Sequence, residues 1–126
     1  MNTVEQARLS FAQRIQKQGG IKSSSLIHGL ATAPREHFVG PGPWKIIRPA
    51  EIAKGYRLTP DDNPCHLYDN VLVALDAERL LNNGEPLALL LFLDSLDLAP
   101  GDRFLHIGCG VGYYTAIAAE AAGPCC

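Results

Sequence analysis

At 126 residues the chain is long enough for one domain with a modest core, and 47% apolar with 19% charged residues is an ordinary soluble balance. A formal charge of -2 gives no electrostatic case for nucleic acid or an anionic membrane. No apolar run approaches the ~20 residues of a membrane span; the longest, Leu87 to Leu93, has the length of a core helix.

The N-terminal "MNTVEQARLSFAQR" is polar and amphipathic, unlike a secretory signal. A cytoplasmic, reducing setting is therefore expected, with Cys65, Cys109, Cys125 and Cys126 as thiols. Their positions lack paired zinc spacing, so no metal site is expected. Val4, Ala7, Phe11 and Ile15 recur at about 3.6 residues and predict an amphipathic helix, stopped by Gly19-Gly20. Ser23 to Ser25 offer a cap for a second helix carrying Leu26, Ile27, Leu30 and Ala31, which Pro34 ends. "REHFVGPGPWKIIRP" is expected to be an ordered loop and "LTPDDNPCHLYDN" further turn chemistry. "VLVALD" is the first clear strand candidate, and "RLLNNGEP" a turn. Pro86 suits a first helical position, and Leu87 to Leu98 predict a buried helix closed by "APGD". Arg103 to Ile107 are expected as a short strand and Gly112 to Ala122 as a helix. Helix, strand, Gly-rich turn, helix is the opening of an α/β sheet domain.

The turn is the informative part. In "HIGCGVGYYTA", Gly108, Gly110 and Gly112 alternate. Glycine admits positive φ and lets a ligand touch the main chain. Between a parallel strand and a helix, such a turn sets free N–H groups at the crevice beyond the strand. A dinucleotide fingerprint needs a glycine or alanine where Tyr113 stands, and a phosphate loop needs Gly-Lys-Ser or Gly-Lys-Thr, which is missing. The spacing suits a cofactor without a pyrophosphate, of which S-adenosyl-L-methionine is the commonest, its amino-acid end packing on the turn. A tight crossover that holds nothing is the competing reading.

The segment "LDSLDLAPGDRFLHIGCGVGYYTAIAAEAAGP" resembles the first cofactor motif of the protein-L-isoaspartate O-methyltransferases, and "APREHFVG" is similar to their "PRxxFV" segment. The resemblance spans roughly residues 26 to 124 and is least over 41 to 81. It implies S-adenosyl-L-methionine-dependent methylation of the carboxylate of an isoaspartyl residue in a protein or peptide. It also implies a helical cap followed by the first strand-turn-helix unit of a Rossmann-like seven-strand fold, left incomplete. The division is then a helical, loop-rich region over 1–78 and the start of the cofactor-binding domain over 79–126. Cofactor contacts fall to Gly108, Cys109, Gly110 and Gly112, with His106 and Tyr113 nearby. An ionised carboxylate acceptor (pKa about 4) needs no general base, and the sulfonium already activates the methyl. Positioning and desolvation carry the reaction, and no catalytic residue is singled out.

Three departures matter. The family places an acid two before the first turn glycine, where His106 stands here. Its "TxSxP" stretch, which contributes to the substrate pocket, aligns on Pro86 with Asn82 and Gly84 in place of the hydroxyls; Asn82, Asn83 and Gly84 are the substrate-binding candidates, with Trp44 as a packing anchor that could also face substrate. The chain also stops before a second strand whose acid would hold the ribose, Glu120 being the only acid after Tyr113. Truncation after the first cofactor motif is therefore expected, with Cys125-Cys126 as an out-of-register end, and weak or no activity of this chain alone. The alternatives are a non-catalytic interaction fragment, self-associating through an exposed sheet edge, and a methyltransferase with another acceptor. Elsewhere, Asp61 and Asp62 between prolines are expected to shape a turn. Cys65-His66 lacks a second metal-binding pair, and His28 and His37 are expected to be partly exposed or capping. Tyr68 could either pack or donate a hydrogen bond.

Overall fold

The predicted first helix forms as α1 (Val4–Gly19), burying Phe11, Ala12 and Ile15. Thr3 and Gln6 close a capping box at its start: Gln6 N donates to Thr3 Oγ1 at 3.2 Å and Thr3 N to Gln6 Oε1 at 2.9 Å. Gly20, at φ 59°, ends it in the left-handed region. Ser23 caps α2 (Ser24–Thr32). The computed structural model describes residues 3–123, so Pro124 and the Cys125-Cys126 tail lie outside the described residues.

Short strands form in and beside the stretches expected as loop and turns, alongside the strand expected over "VLVALD". β1 (Lys45–Ile47), β2 (Arg57–Leu58), β3 (Leu72–Asp76) and β4 (Leu81–Asn82) form one sheet in the order β2-β1-β3-β4. Every neighbouring pair is antiparallel; Ile46 faces Arg57 on one side and Val73 on the other. Only β3 is legible, as a short continuous apolar run. The other three strands, of two or three residues each, are too short to carry a period and sit among prolines and glycines. Beneath the sheet, Trp44, Ile46, Leu67, Val71 and Val73 make a small core of their own. Trp44 is its anchor, with the indole Nε1 donating to Gly40 O at 2.9 Å and its N–H donating to Thr59 Oγ1 at 2.9 Å.

α3 (Pro86–Ser95) begins at the proline, as expected, and ends three residues early. Asp94 near its end accepts from the N–H groups of Ser23 and Lys22 at 2.9 and 3.0 Å, which ties the α1–α2 corner to α3. The predicted strand over 103–107 does not form: these residues belong to no strand and pair with no neighbour among the described residues. A parallel strand needs a partner on at least one edge and cover on both faces; here Leu105 and Ile107 are 82% and 85% exposed. The expected first strand-turn-helix unit is therefore an unpaired segment, a turn and a helix among the described residues. The architecture is mixed α/β, with its strands in a small antiparallel sheet.

α4 (Tyr113–Ala122) does form, starting after Gly112. It packs into one core with α1, α2 and α3, where Phe11, Ile15, Leu30, Leu90, Tyr113 and Ile117 are buried. Gly29 of α2 lies against Ile117 so closely that a Cβ there would stand 3.2 Å from its carbonyl oxygen. The "APGD" bend is fixed by Gly101 N donating to Ala122 O at 2.8 Å and Ala99 N to Asp102 Oδ2 at 2.8 Å. Among the described residues, no helix is long and apolar enough to cross a membrane.

Candidate functional site around the glycine turn

Three alternate positions, Gly108, Gly110 and Gly112, take φ of 73°, 57° and 87°. These are left-handed values that cost an L side chain roughly 1–2 kcal/mol each, so the residue type follows from the backbone path. A Cβ added at any of the three would meet nothing within 4 Å. The turn is not plugged by the protein's own side chains, and it stands at the N-terminus of a ten-residue helix, where unpaired N–H groups and the helix dipole favour an electron-rich group. Gly112 N donates to Cys109 O at 3.0 Å, closing the turn on itself. Cys109 is exposed, its side chain beside the bend.

His106 precedes the turn and is tied to the helix after it: Nδ1 lies 2.8 Å from Thr115 Oγ1. The ring is half-buried beside Phe104 at 6.0 Å between centroids. Thr115 was not a sequence candidate; its place in the first turn of α4, nine residues after His106, gave the only signal. Tyr113, although next to the turn, turns its ring into the helical core. It meets Phe38 and Tyr114 edge-on at 5.5 and 4.9 Å and is fully buried, with no hydrogen-bond partner for its hydroxyl. Its side chain is therefore not brought to the open face of the turn with the glycines.

An S-adenosyl-L-methionine amino-acid end can be tested against this geometry. The three bare Cα positions leave the main chain approachable, and the residues fit that part of the molecule. Among the described residues, no acid stands at the end of a second strand to take a ribose.

Beside the turn, an apolar groove of about 380 Å3 runs between α3 and the 104–106 segment, lined by Phe92, Leu96, Leu105, His106 and Tyr114 among others. Asn82, Asn83 and Gly84 lie together just ahead of α3. Asn82 Oδ1 accepts from Gly84 N at 2.9 Å, a local turn, and Gly84 O accepts from Tyr114 OH at 3.3 Å, linking this corner to α4. Asn83 is buried and its Nδ2 has no partner. Trp44, the fourth substrate candidate, sits in the sheet core rather than with these three.

The "APREHFVG" stretch does more than its loop-like composition suggests. Arg35 is fully buried and donates from Nη1 to Leu67 O at 2.8 Å and from Nη2 to Val71 O at 2.7 Å, and its guanidinium lies 5.7 Å from the Tyr113 ring centroid. Glu36 takes Arg8 at 3.0 Å and the Tyr68 hydroxyl. Tyr68 OH accepts from Arg8 Nε at 2.9 Å and Arg35 N at 3.0 Å. Desolvation pulls the Arg8 guanidinium down, but the phenol and carboxylate bonded to it hold it above its usual value. Burial, then the bond to Glu36, pushes the Tyr68 phenol up to about 12. Asp61 and His66 pair at 2.7 Å, and the Asn63 N–H together with His66 holds the exposed Asp61 carboxyl below its ordinary value.

Known sequences resemble the chain over most of its length. The chain is 26% identical over 117 residues to a protein-L-isoaspartate O-methyltransferase of Methanothermobacter thermautotrophicus, an alignment covering 93% of this chain and 44% of the relative. It is 25% identical to one of Hyperthermus butylicus, over 94% of this chain and 40% of that one. A Dictyoglomus turgidum protein of the same name is 29% identical over 86% of this chain and 39% of its own length. The chain thus spans about two fifths of the curated relatives it matches. No solved structure gives a significant match. The sequence model of Protein-L-isoaspartate(D-aspartate) O-methyltransferase matches residues 60–126, which takes in β3, β4, α3, the three left-handed glycines and α4, and the chain belongs to that family.

Proposed function

We propose that this chain supplies the turn that holds the methionine end of S-adenosyl-L-methionine in a protein carboxyl methyltransferase of the isoaspartyl type. The observation that carries this is the open backbone at Gly108, Gly110 and Gly112, whose Cα positions nothing approaches within 4 Å of an added Cβ. The cofactor, when bound, supplies an activated methyl on a sulfonium whose departure leaves a neutral thioether. The chain's own residues position and exclude water. The N–H groups at the start of α4 face the ligand's carboxylate end, and His106 is held by Thr115 beside them. Asn82, Asn83 and Gly84 stand just ahead of α3, where the family resemblance places part of the substrate pocket. The acceptor carboxylate is ionised near neutral pH and needs no base, consistent with a site that gathers no triad.

Calorimetric titration of this chain with S-adenosyl-L-methionine is expected to show weak or no binding, because the described residues build one side of a pocket; micromolar affinity would contradict that. Extended by the remainder of a relative, the chain is expected to methylate an isoaspartyl peptide and leave the aspartyl form untouched. Transfer to neither peptide by an extended chain that binds the cofactor would overturn the acceptor assignment. It would favour the second reading, a methyltransferase with another acceptor, which the replacement of the family's two hydroxyls by Asn82 and Gly84 supports.

A further inference from the structure

A groove of about 330 Å3 lies between α1 and the small sheet, and none of its lining comes from residues 79–123. Three guanidinium groups line it, Arg14, Arg48 and Arg57, in a chain whose formal charge is -2. Their convergence follows from the fold. Ile46 and Arg57 are cross-strand partners, so they share a sheet face, and Arg48, just past the end of β1 with an extended backbone, lines the groove beside them. Arg14 comes from the exposed side of α1 and is steered by its Nη2, which donates to Tyr68 O at 2.8 Å. The groove holds one lining carboxylate, Asp69, which takes Arg48 Nη2 at 3.0 Å, both side chains being about half exposed. The Arg57 side chain has no hydrogen-bond or ion-pair partner among the described residues. His66 also lines the groove, but its Nε2 is engaged with Asp61 outside it.

Three fixed positive charges against one carboxylate leave the groove with two unbalanced. Grouping like charges is unfavourable unless an anion joins them. A guanidinium fork matches the oxygens of a phosphate or a carboxylate. A single carboxylate, however, would neutralise only half of the excess. A dianion whose oxygens point in several directions satisfies forks arriving from α1 on one side and from β2 and the residue following β1 on the other. We propose that Arg14, Arg48 and Arg57 form a binding site for a phosphate dianion, either the free ion or a phosphate ester carried on a peptide.

The full chain would be titrated with inorganic phosphate, a phosphoserine peptide, its unphosphorylated form and malonate, at constant ionic strength, following the arginine Nε–Hε resonances. Saturable shifts of these three side chains are expected with phosphate or the phosphopeptide and not with the unphosphorylated peptide. Binding of the ion and the ester alike identifies the free ion as sufficient; binding of the phosphopeptide alone identifies the ester. Arg57→Gln, at an exposed position without partners, is expected to weaken binding about tenfold or more with unchanged melting, while Lys17→Gln on the same helix as Arg14 leaves it unchanged. No saturation with either phosphate form, equal affinity for malonate, or an unaltered Kd in Arg57→Gln would overturn the proposal.

Discussion

Nδ1 of His106 stands 2.8 Å from the hydroxyl oxygen of Thr115, so the residue entering the glycine turn is bonded to the first turn of the helix leaving it. The bend between them holds three left-handed glycines, each able to reach many conformations when unconstrained. The His106–Thr115 bond is a cross-brace over a segment that makes no strand. Thr115→Val removes it at a part-buried position and is expected to cost about 1 kcal/mol, seen as a lower melting temperature. His106→Asp restores the acid that the family resemblance places there. In a chain extended to full length it is expected to tighten S-adenosyl-L-methionine about tenfold through a charge-assisted bond. Equal or weaker affinity in His106→Asp would remove His106 from the cofactor's surroundings.

Gly108 separates conformational cost from ligand contact. At φ 73° with open space around its Cα, Gly108→Ala meets backbone strain alone, roughly 1 kcal/mol, or about 4 °C in melting temperature. The added methyl stands where the ligand would approach, so cofactor affinity in an extended chain is expected to fall far more than stability does. Melting loss and affinity loss of similar size would show that the turn is merely a crossover.

Arg35 offers a different kind of test, because it is fully buried and its guanidinium satisfies the carbonyls of Leu67 and Val71 while its Nε has no partner. Arg35→Met fills a similar volume but strands both carbonyls. At about 1–3 kcal/mol per unsatisfied buried group, the loss is expected to reach about 3 kcal/mol or more in urea unfolding. It should be felt at Tyr68 and Tyr113 alike, since Arg35 touches both the segment below the sheet and the Tyr113 ring. A loss under about 1 kcal/mol would mean that water replaces the guanidinium at those carbonyls.

These cases mark where the sequence is legible. The helices were, because Val4, Ala7, Phe11 and Ile15 carry a period and Ser23, Pro86 and Gly20 carry local chemistry that acts within one turn. The glycine turn was also legible, since alternating positive φ leaves few residue choices. The sheet was mostly hidden: strands such as Arg57–Leu58 exist through pairing across the chain, which two residues cannot announce. The strand expected over 103–107 failed for the reciprocal reason. Phe104, Leu105 and Ile107 have the composition of a buried strand, but pairing is a property of neighbours, and the described residues provide none. In the site, His106 was visible and its partner Thr115 was not, because a side-chain bond over nine residues depends on the path of the turn between them.

The aromatic cluster between α1, α2 and α4 sets the last expectation, which concerns alkaline pH. Burial raises the phenols of Tyr68 and Tyr114 from the usual 10.0 to about 12, and pushes Tyr113 up as well. For Tyr68 the carboxylate of Glu36 adds to burial, since a phenolate there would face a second anion. A raised folded-state value means that the folded protein keeps its protons while the unfolded chain loses them. The corresponding stability is fully present below pH 10 and is lost as pH rises toward about 12. Melting temperature is expected to hold up to pH 10 and then fall steeply, with tyrosinate absorbance from these residues appearing together with unfolding rather than before it. Tyr68→Phe removes one of the three contributions, at the cost of the bonds its hydroxyl makes with Arg8, Arg35 and Glu36. Its melting curve should therefore start lower and decline less above pH 10. Ionisation of the cluster near pH 10 in a chain that stays folded would show that water reaches these rings and that the helical core is looser than its packing implies.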